Sequence, residues 1–196
     1  MINLLGKLVR ELRGDFWGTL AAWQDQRPLW LLGGLTALGL EIFSWAWFQN
    51  YLGLRPCELC VYIRFSMVAI CLGAALAALK PDHPWLKLGG YVISIWGMLR
   101  GLRWNIALEL DYLKAAENPW SIICSPAEVR YPFDLPLHQW LPGHFEPTAG
   151  CGEDAWSLFG LNMAEWLFLV YGVFLLGITL MLISWLRQAY RRRVSK

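Results

Sequence analysis

Hydrophobic positions along the chain are concentrated in four long stretches. They run over residues 29–49, 59–79, 85–108 and 166–186. Each is close to the ~20 apolar residues that an α-helix needs to cross a bilayer. The strict apolar–polar alternation of β-strands does not compete with them, and a lone spanning segment satisfies its own backbone only as a helix. The pattern therefore predicts an all-α fold, a transmembrane four-helix bundle within residues 28–186.

The segment in front of the first stretch, residues 1–27, has a different pattern. Its apolar residues recur at helical spacing from Leu5 to Trp23, and its basic residues lie mostly off that stripe. This favours an interfacial amphipathic helix that lies on the membrane surface. The alternative is a helix that docks its apolar face on the bundle.

Composition agrees with a membrane protein. Of the 196 residues, 57% are hydrophobic and only 16% are charged, whereas about a quarter of the residues of a soluble domain are charged. The net charge of +2, without a basic run outside the C-terminal tail, argues against a nucleic-acid partner. Because no small-residue cleavage site follows an apolar core near the N-terminus, we expect an uncleaved first anchor.

Basic residues are distributed unevenly between the segments that flank the four stretches. Eleven Lys and Arg side chains fall in residues 1–27, the loop around residues 80–87 and the tail 187–196, against three on the opposite side. The positive-inside rule then predicts a multi-pass protein with both termini in the cytoplasm. The long loop of residues 109–165 is expected to face outward.

The motif "PCELCVYIR", residues 56–64, opens the second stretch and contains Cys57 and Cys60. Two further cysteines, Cys124 and Cys151, lie in the long outer loop, and Cys71 lies near mid-bilayer, where we interpret it as an ordinary small apolar residue. A CxxC at a helix start suits redox chemistry, because free amide groups and the helix dipole stabilise a thiolate. A static disulfide and a zinc site completed by the loop cysteines stay open as alternatives.

Arg64 lies four residues after Cys60, on the same helix face and about one turn deeper. An arginine within the apolar zone costs on the order of 3 kcal/mol and indicates function, although a side chain so near the edge can also snorkel to the interface. We expect Arg64 to stabilise negative charge beside Cys60. The chain has no haem motif and no Rossmann glycine pattern, so a lipid-soluble quinone is the expected electron acceptor.

Taken together, "PCELCVYIR", the four-stretch layout and the outer loop "YPFDLPLHQWLPGHFEPTAGCGEDAWSLFGLNMAEWL" resemble the DsbB family of bacterial inner-membrane, quinone-dependent disulfide-forming proteins. The resemblance covers residues 28–185. "WQDQRPLWLL" and "PCELCVYIR" are closer to the DsbI branch of that family, which serves a DsbA-like partner called DsbL.

The resemblance implies a role for each redox cysteine. A Cys124–Cys151 disulfide would accept electrons from a reduced periplasmic DsbA-like or DsbL-like oxidase of the thioredoxin fold, with Cys124 forming the mixed disulfide. Cys151 would then exchange with Cys57 of a Cys57–Cys60 disulfide, which leaves the Cys60 thiolate facing the quinone, next to Arg64. Ubiquinone would serve in air and menaquinone without it.

Some positions depart from the family pattern or have no assigned role. Glu41 matches an acidic position of the family, and we favour a polar contact inside the bundle. The family histidine near the outer end of the third helix is missing, since His83, His138 and His144 lie elsewhere. Arg100 and Arg103 lie in that stretch instead, where they either line a quinone pocket or pair with Glu109 or another helix.

Two other classes of protein are alternatives to the oxidoreductase. A vitamin-K-epoxide-reductase-like bundle typically carries its CxxC late in the chain, whereas here it opens the second stretch. A membrane scaffold, stapled by a disulfide and docking a periplasmic protein without turnover, is the non-enzymatic alternative. Substitution of Cys57 by serine separates the enzyme from the scaffold.

Overall fold

The computed structural model describes residues 15–117, 129–150 and 156–194, and it is mostly helical. The helices are α1 (Phe16–Gln24), α2 (Arg27–Phe43, continued by a π-helical segment Ser44–Tyr51), α3 (Glu58–Leu79), α4 (Pro84–Glu117), α5 (Leu137–Trp140), α6 (Pro142–Phe145) and α7 (Met163–Val194). A 3-10 turn covers Pro132–Asp134. Strands β1 (Ser157–Leu158) and β2 (Leu161–Asn162) form an antiparallel hairpin in front of α7.

Among the described residues, three helices are long and apolar enough to cross a membrane: Arg27–Tyr51, Glu58–Leu79 and Met163–Arg191. They cover the first, second and fourth predicted stretches. The third lies within α4, whose mean hydropathy is lowered by Lys87, Arg100 and Arg103. α4 also continues as a helix over residues 109–117, which the sequence analysis assigned to the outer loop, since a helix can extend past the point where its apolar stretch ends.

α3 is the central helix and packs between α2 and α4, and α4 in turn packs against α7. The α3–α4 contact is close because glycines face each other across it. A Cβ atom added at Gly90 would lie 2.7 Å from the carbonyl oxygen of Gly73, and one added at Gly73 would lie 2.8 Å from that of Gly90. Only glycine permits this backbone approach.

Helix α1 docks on the bundle, mainly against α7. This agrees with the alternative prediction for the N-terminal segment, a helix packed on the bundle. The amide of Gln24 is fully buried: it donates to the hydroxyl of Ser184 at 2.9 Å and accepts from the hydroxyl of Tyr91 at 2.6 Å. Beside it, the ammonium of Lys87 pairs with the carboxylate of Asp25. Residues 1–14 lie outside the described residues, so a surface helix there stays a prediction.

The outer segment of residues 129–150 lies over the beginning of α3. An aromatic cluster holds it there, in which Tyr131 and Phe145 pack on Tyr62 and Phe65. The Tyr131 hydroxyl donates to the carbonyl oxygen of Phe145 at 2.6 Å. Burial raises the pKa of the Tyr131 hydroxyl above its ordinary value, so it remains a donor at neutral pH. This packing brings α6 next to the CxxC end of α3.

Candidate active site

Cys57 and Cys60 lie at the N-terminus of α3. Cys57 is the N-cap residue: it has an extended backbone, and its Sγ accepts a hydrogen bond from the amide of Cys60 at 3.3 Å. The two sulfur atoms lie 2.6 Å apart. Cys57 is buried and Cys60 is partly exposed. Amide donors and the positive end of the helix dipole both stabilise negative charge on sulfur here, so the pair is arranged for thiol–disulfide exchange.

A cavity of about 330 Å³ opens beside Cys60, between α2, α3, α4 and α7. Its wall is mostly apolar and includes Leu40 and Met67, together with the side chains of Cys60, Arg64 and Glu41. A reactive sulfur, a positive charge and a carboxylate therefore face one apolar space. This is the composition of a site for an apolar ligand with a few polar atoms.

Arg64 is held inside the protein, with only 5% of its surface exposed. Its Nη1 donates to the side-chain oxygen of Gln49 and to the carbonyl oxygen of His144, both at 2.8 Å. Its Nε lies 3.8 Å from a carboxylate oxygen of Glu41. Gln49 in turn donates to the carbonyl oxygen of Gly143 at 2.9 Å. The guanidinium is thus fixed beside the cavity by α2, its π-helical continuation and α6, and it does not extend to the protein surface.

Glu41 and His144 form a second contact at this site. The Nε2 atom of His144 lies 2.8 Å from Oε1 of Glu41. This distance is within hydrogen-bonding range, but the angle between the two groups is not that of an aligned hydrogen bond. The polar contact expected for Glu41 inside the bundle is present, and it is made to Arg64 and His144. The sequence does not single out His144, because its approach to α2 depends on how the distant outer segment packs.

Cys124 and Cys151 lie outside the described residues, as do the Cys124–Cys151 disulfide and the zinc alternative that depend on them. The described residues just before Cys151 in the sequence do lie next to the CxxC motif. The backbone amides of Thr148 and Ala149 donate to the carbonyl oxygen of Pro56 at 2.9 and 3.3 Å. Pro56 directly precedes Cys57, and Ala149 stands two positions before Cys151 in the sequence.

Arg100 and Arg103 are not among the residues that line this cavity. The guanidinium of Arg100 lies over the ring of Trp96 at 5.8 Å, and Arg103 is exposed. Glu109 accepts a hydrogen bond from Asn162 at 2.9 Å. A role for either arginine near a quinone stays a prediction.

These features define a helical membrane protein with a closely spaced thiol pair at the mouth of an apolar cavity. Residues 26–181 match the family described as disulfide bond formation protein DsbB, and the chain belongs to that family. The resemblance expected from the sequence is thereby confirmed.

Relatives of this chain carry the name of the DsbI branch. A DsbI of Campylobacter fetus subsp. fetus is 33% identical over 210 residues, covering 93% of this chain and 98% of the relative. A DsbI of Shewanella oneidensis is 33% identical, covering 92% and 91%. The protein-disulfide oxidoreductase DsbI of Escherichia coli O1:K1 is 39% identical over 151 residues, covering 74% and 67%.

Proposed function

We propose that this protein is a protein thiol:quinone oxidoreductase. It reoxidises a periplasmic, thioredoxin-fold dithiol oxidase of the DsbA or DsbL kind and passes the electrons through two cysteine pairs to a membrane quinone. The observation that carries the proposal is that Cys60 and Arg64 share the wall of one apolar cavity. A disulfide-stapled scaffold has no need for a thiol pair that opens onto such a cavity.

The described residues fit a quinone. The volume of about 330 Å³ lies at the small end of ligand pockets, which suits a single substituted ring. Arg64 and Glu41 place polar atoms in an otherwise apolar wall. A neighbouring apolar groove of about 550 Å³, between α2 and α7, shares Leu40, Trp166 and Val170 with the cavity and gives an isoprenoid tail a path toward lipid. When bound, the quinone supplies a two-electron, two-proton acceptor, ubiquinone in air and menaquinone without it.

The thiol steps transfer one electron pair at a time. The Cys124–Cys151 disulfide is reduced to two thiols as the partner's dithiol becomes a disulfide. The Cys151 thiolate then attacks the sulfur of Cys57: a Cys151–Cys57 disulfide forms, the Cys57–Cys60 bond breaks, and Cys60 leaves as a thiolate. Attack of the Cys124 thiolate on Cys151 restores the Cys124–Cys151 disulfide and releases Cys57, so that Cys57 and Cys60 hold the two electrons destined for the quinone. The hydrogen bonds of Thr148 and Ala149 to Pro56 support the Cys151–Cys57 pairing, because two residues of chain span only about 7 Å.

Arg64 supplies the electrostatic part of the mechanism. Its fixed positive charge lies one helical turn from Cys60, inside the protein, where charge interactions are less screened than in water. It stabilises the Cys60 thiolate and any negative charge that develops on a ligand in the cavity. Gln49 and the His144 carbonyl hold the guanidinium in place, so little reorganisation is needed during the reaction.

We further propose that the protein lies in a bacterial inner membrane, with both termini in the cytoplasm and the redox pairs on the periplasmic side. The distribution of Lys and Arg supports this orientation. The periplasm is an oxidising compartment in which the partner's disulfide persists. The quinone reaches the cavity from the lipid, and the thioredoxin-fold partner reaches the outer segment from water.

The test is quinone reduction by the purified protein in detergent with a reduced DsbA-like donor, followed by the loss of ubiquinone absorbance in the ultraviolet. We expect turnover by the wild type and none by Cys57→Ser. Cys71→Ser is the matched control, because Cys71 lies deeper in α3 and is not among the cavity-lining residues; it should retain wild-type rates. Wild-type protein that reduces no quinone with any thioredoxin-fold donor, or Cys57→Ser protein that still turns over, would overturn the proposal.

A further inference from the structure

Glu41 and His144 connect the cavity with the outside of the protein. The carboxylate of Glu41 is in the cavity wall and its side chain is only 7% exposed, whereas the side chain of His144 is 23% exposed. The 2.8 Å contact between them therefore joins a buried acid to an imidazole that water can reach. Imidazole and carboxylate side chains are the groups that most often carry protons in protein sites.

The proposed reaction requires a path by which protons reach the cavity from water. Oxidation of two thiols to a disulfide releases two electrons and two protons, and a quinone that becomes a quinol takes up both. The reactive form of a thiol is the thiolate, which has already lost its proton before the electrons move. Protons must then reach the apolar cavity separately from the electrons.

The other polar side chains of the cavity wall are less suited to carry protons into the cavity. Arg64 and Arg55 do not give up a proton in proteins. Cys60 is the electron donor itself, and Tyr112 on α4 and Ser44 after α2 contribute hydroxyl groups, for which no contact with His144 is seen in the described residues. The residues that α7 contributes to the wall are apolar. Glu41 is left as the acid that also contacts a partly exposed base, His144.

We propose that His144 and Glu41 form a proton relay from the periplasmic water to the cavity, an inference that rests on the proposed function. The doubly protonated ring of His144 gives its Nε2 proton to Oε1 of the Glu41 carboxylate as the N–H bond breaks and the O–H bond forms, which leaves both groups neutral. Glu41 then gives that proton to an oxygen of the reduced quinone, and the His144 ring is reprotonated from the periplasmic solvent. A second cycle supplies the second proton of the quinol. Imperfect alignment of the resting contact is common in sites without ligand, where such hydrogen bonds tighten on binding.

The backbone of His144 has a separate task, which makes the relay testable. The carbonyl oxygen of His144 accepts the hydrogen bond from Arg64, so a change of the side chain leaves that contact available. His144→Gln should therefore keep Arg64 in place while removing the imidazole. His138 on α5 is the matched control, since its ring stacks beside Tyr131 and is not among the cavity-lining residues.

We expect His144→Gln to lower kcat for quinone reduction about 100-fold, in line with the loss of a general acid. The quinone KM and the quinone dissociation constant, measured without turnover from tryptophan fluorescence quenching, should stay within about twofold. The quinone-free exchange between the reduced partner and the Cys57–Cys60 pair, measured by acid quench and thiol alkylation, should be unchanged. Added imidazole should restore turnover to His144→Ala but not to Glu41→Gln, and His138→Gln should behave as wild type.

The outcomes separate the relay from the proposed function. If the wild type turns over and His144→Gln keeps the wild-type kcat, the relay is wrong and the oxidoreductase stands. If His144→Gln loses quinone binding and imidazole does not rescue His144→Ala, His144 has a structural role and the relay is again wrong. If the wild type itself reduces no quinone, both proposals fall together.

Discussion

At the scale of single residues, Arg64 depends on the shape of its side chain as well as on its charge. Its planar head faces Gln49, the His144 carbonyl and Glu41 at the same time. A lysine places one compact charge on a flexible stem and cannot reproduce this arrangement. We expect Arg64→Lys to raise the quinone KM about tenfold, which corresponds to about 1.4 kcal/mol of binding free energy. Steady-state kinetics over a range of quinone concentrations measure the change.

The control for this substitution is Arg100→Lys. The guanidinium of Arg100 lies over Trp96 and outside the cavity wall, so its replacement should leave the quinone KM within about twofold. The same experiment decides the open role of Arg100, because a large KM effect there would place the quinone on a different face of α4. An unchanged KM in Arg64→Lys would show that a point charge is sufficient.

Residues of the site differ in how far sequence alone predicts them. Cys57, Cys60 and Arg64 share one helix, so their spacing and the helical period place them together. His144 stands 80 positions after Arg64 in the chain. Its approach depends on aromatic packing between the outer segment and α3, and no periodicity carries that information. Local geometry is therefore predictable here, whereas the partners that fix Arg64 are not.

At the scale of elements, the contact between α3 and α4 depends on Gly73 and Gly90. A methyl group at Gly90 would lie 2.7 Å from the Gly73 carbonyl oxygen and 2.6 Å from the Cβ of Ala77, so the helices must separate to admit it. We expect Gly90→Ala to lower the free energy of unfolding by about 1–3 kcal/mol, as overpacked cores do. Thermal unfolding in detergent, followed by circular dichroism, measures the loss.

Gly172→Ala is the control for the helix contact. It introduces the same methyl group within α7, where nothing but the glycine's chain neighbours and the adjoining helix backbone lies within 4 Å of the added Cβ. Alanine favours a helix over glycine by about 1 kcal/mol, so this variant should unfold at the wild-type temperature or above it. Equal destabilisation by the two substitutions would contradict the packing explanation, since the loss would then not depend on the α3–α4 contact.

Hydropathy predicted where the long helices lie better than it predicted where they begin and end. The predicted stretch of residues 166–186 lies inside α7, Met163–Val194, because helices extend past their apolar parts. The π-helical turn Ser44–Tyr51 was not predicted, since it has no apolar period of its own. This π-helical segment places the side chain of Gln49 within hydrogen-bonding distance of Arg64. The unpredicted irregularity is thus part of the site, as is common for π-helical segments.

At the scale of the whole molecule, the two ends of the bundle are closed by different means. At one end, the outer segment covers the CxxC through aromatic packing and hydrogen bonds to Pro56. At the other end, α1 docks through Gln24, and the guanidinium of Arg187 lies over the ring of Trp17 at 4.2 Å. The basic tail follows from this second end. The bundle therefore carries the CxxC at one end and basic charge at the other.

This polarity predicts the orientation of the chain in the membrane. Lys and Arg near the ends of apolar helices stay on the cytoplasmic side, so we expect green fluorescent protein fused after Lys196 to fluoresce and alkaline phosphatase at the same place to be inactive. Fusions after Glu117, at the end of α4, should behave in the opposite way. Immunoblots of each fusion control for expression. The reverse pattern would place the CxxC in the cytoplasm, where glutathione keeps thiols reduced, and a periplasmic oxidase could not then be the donor.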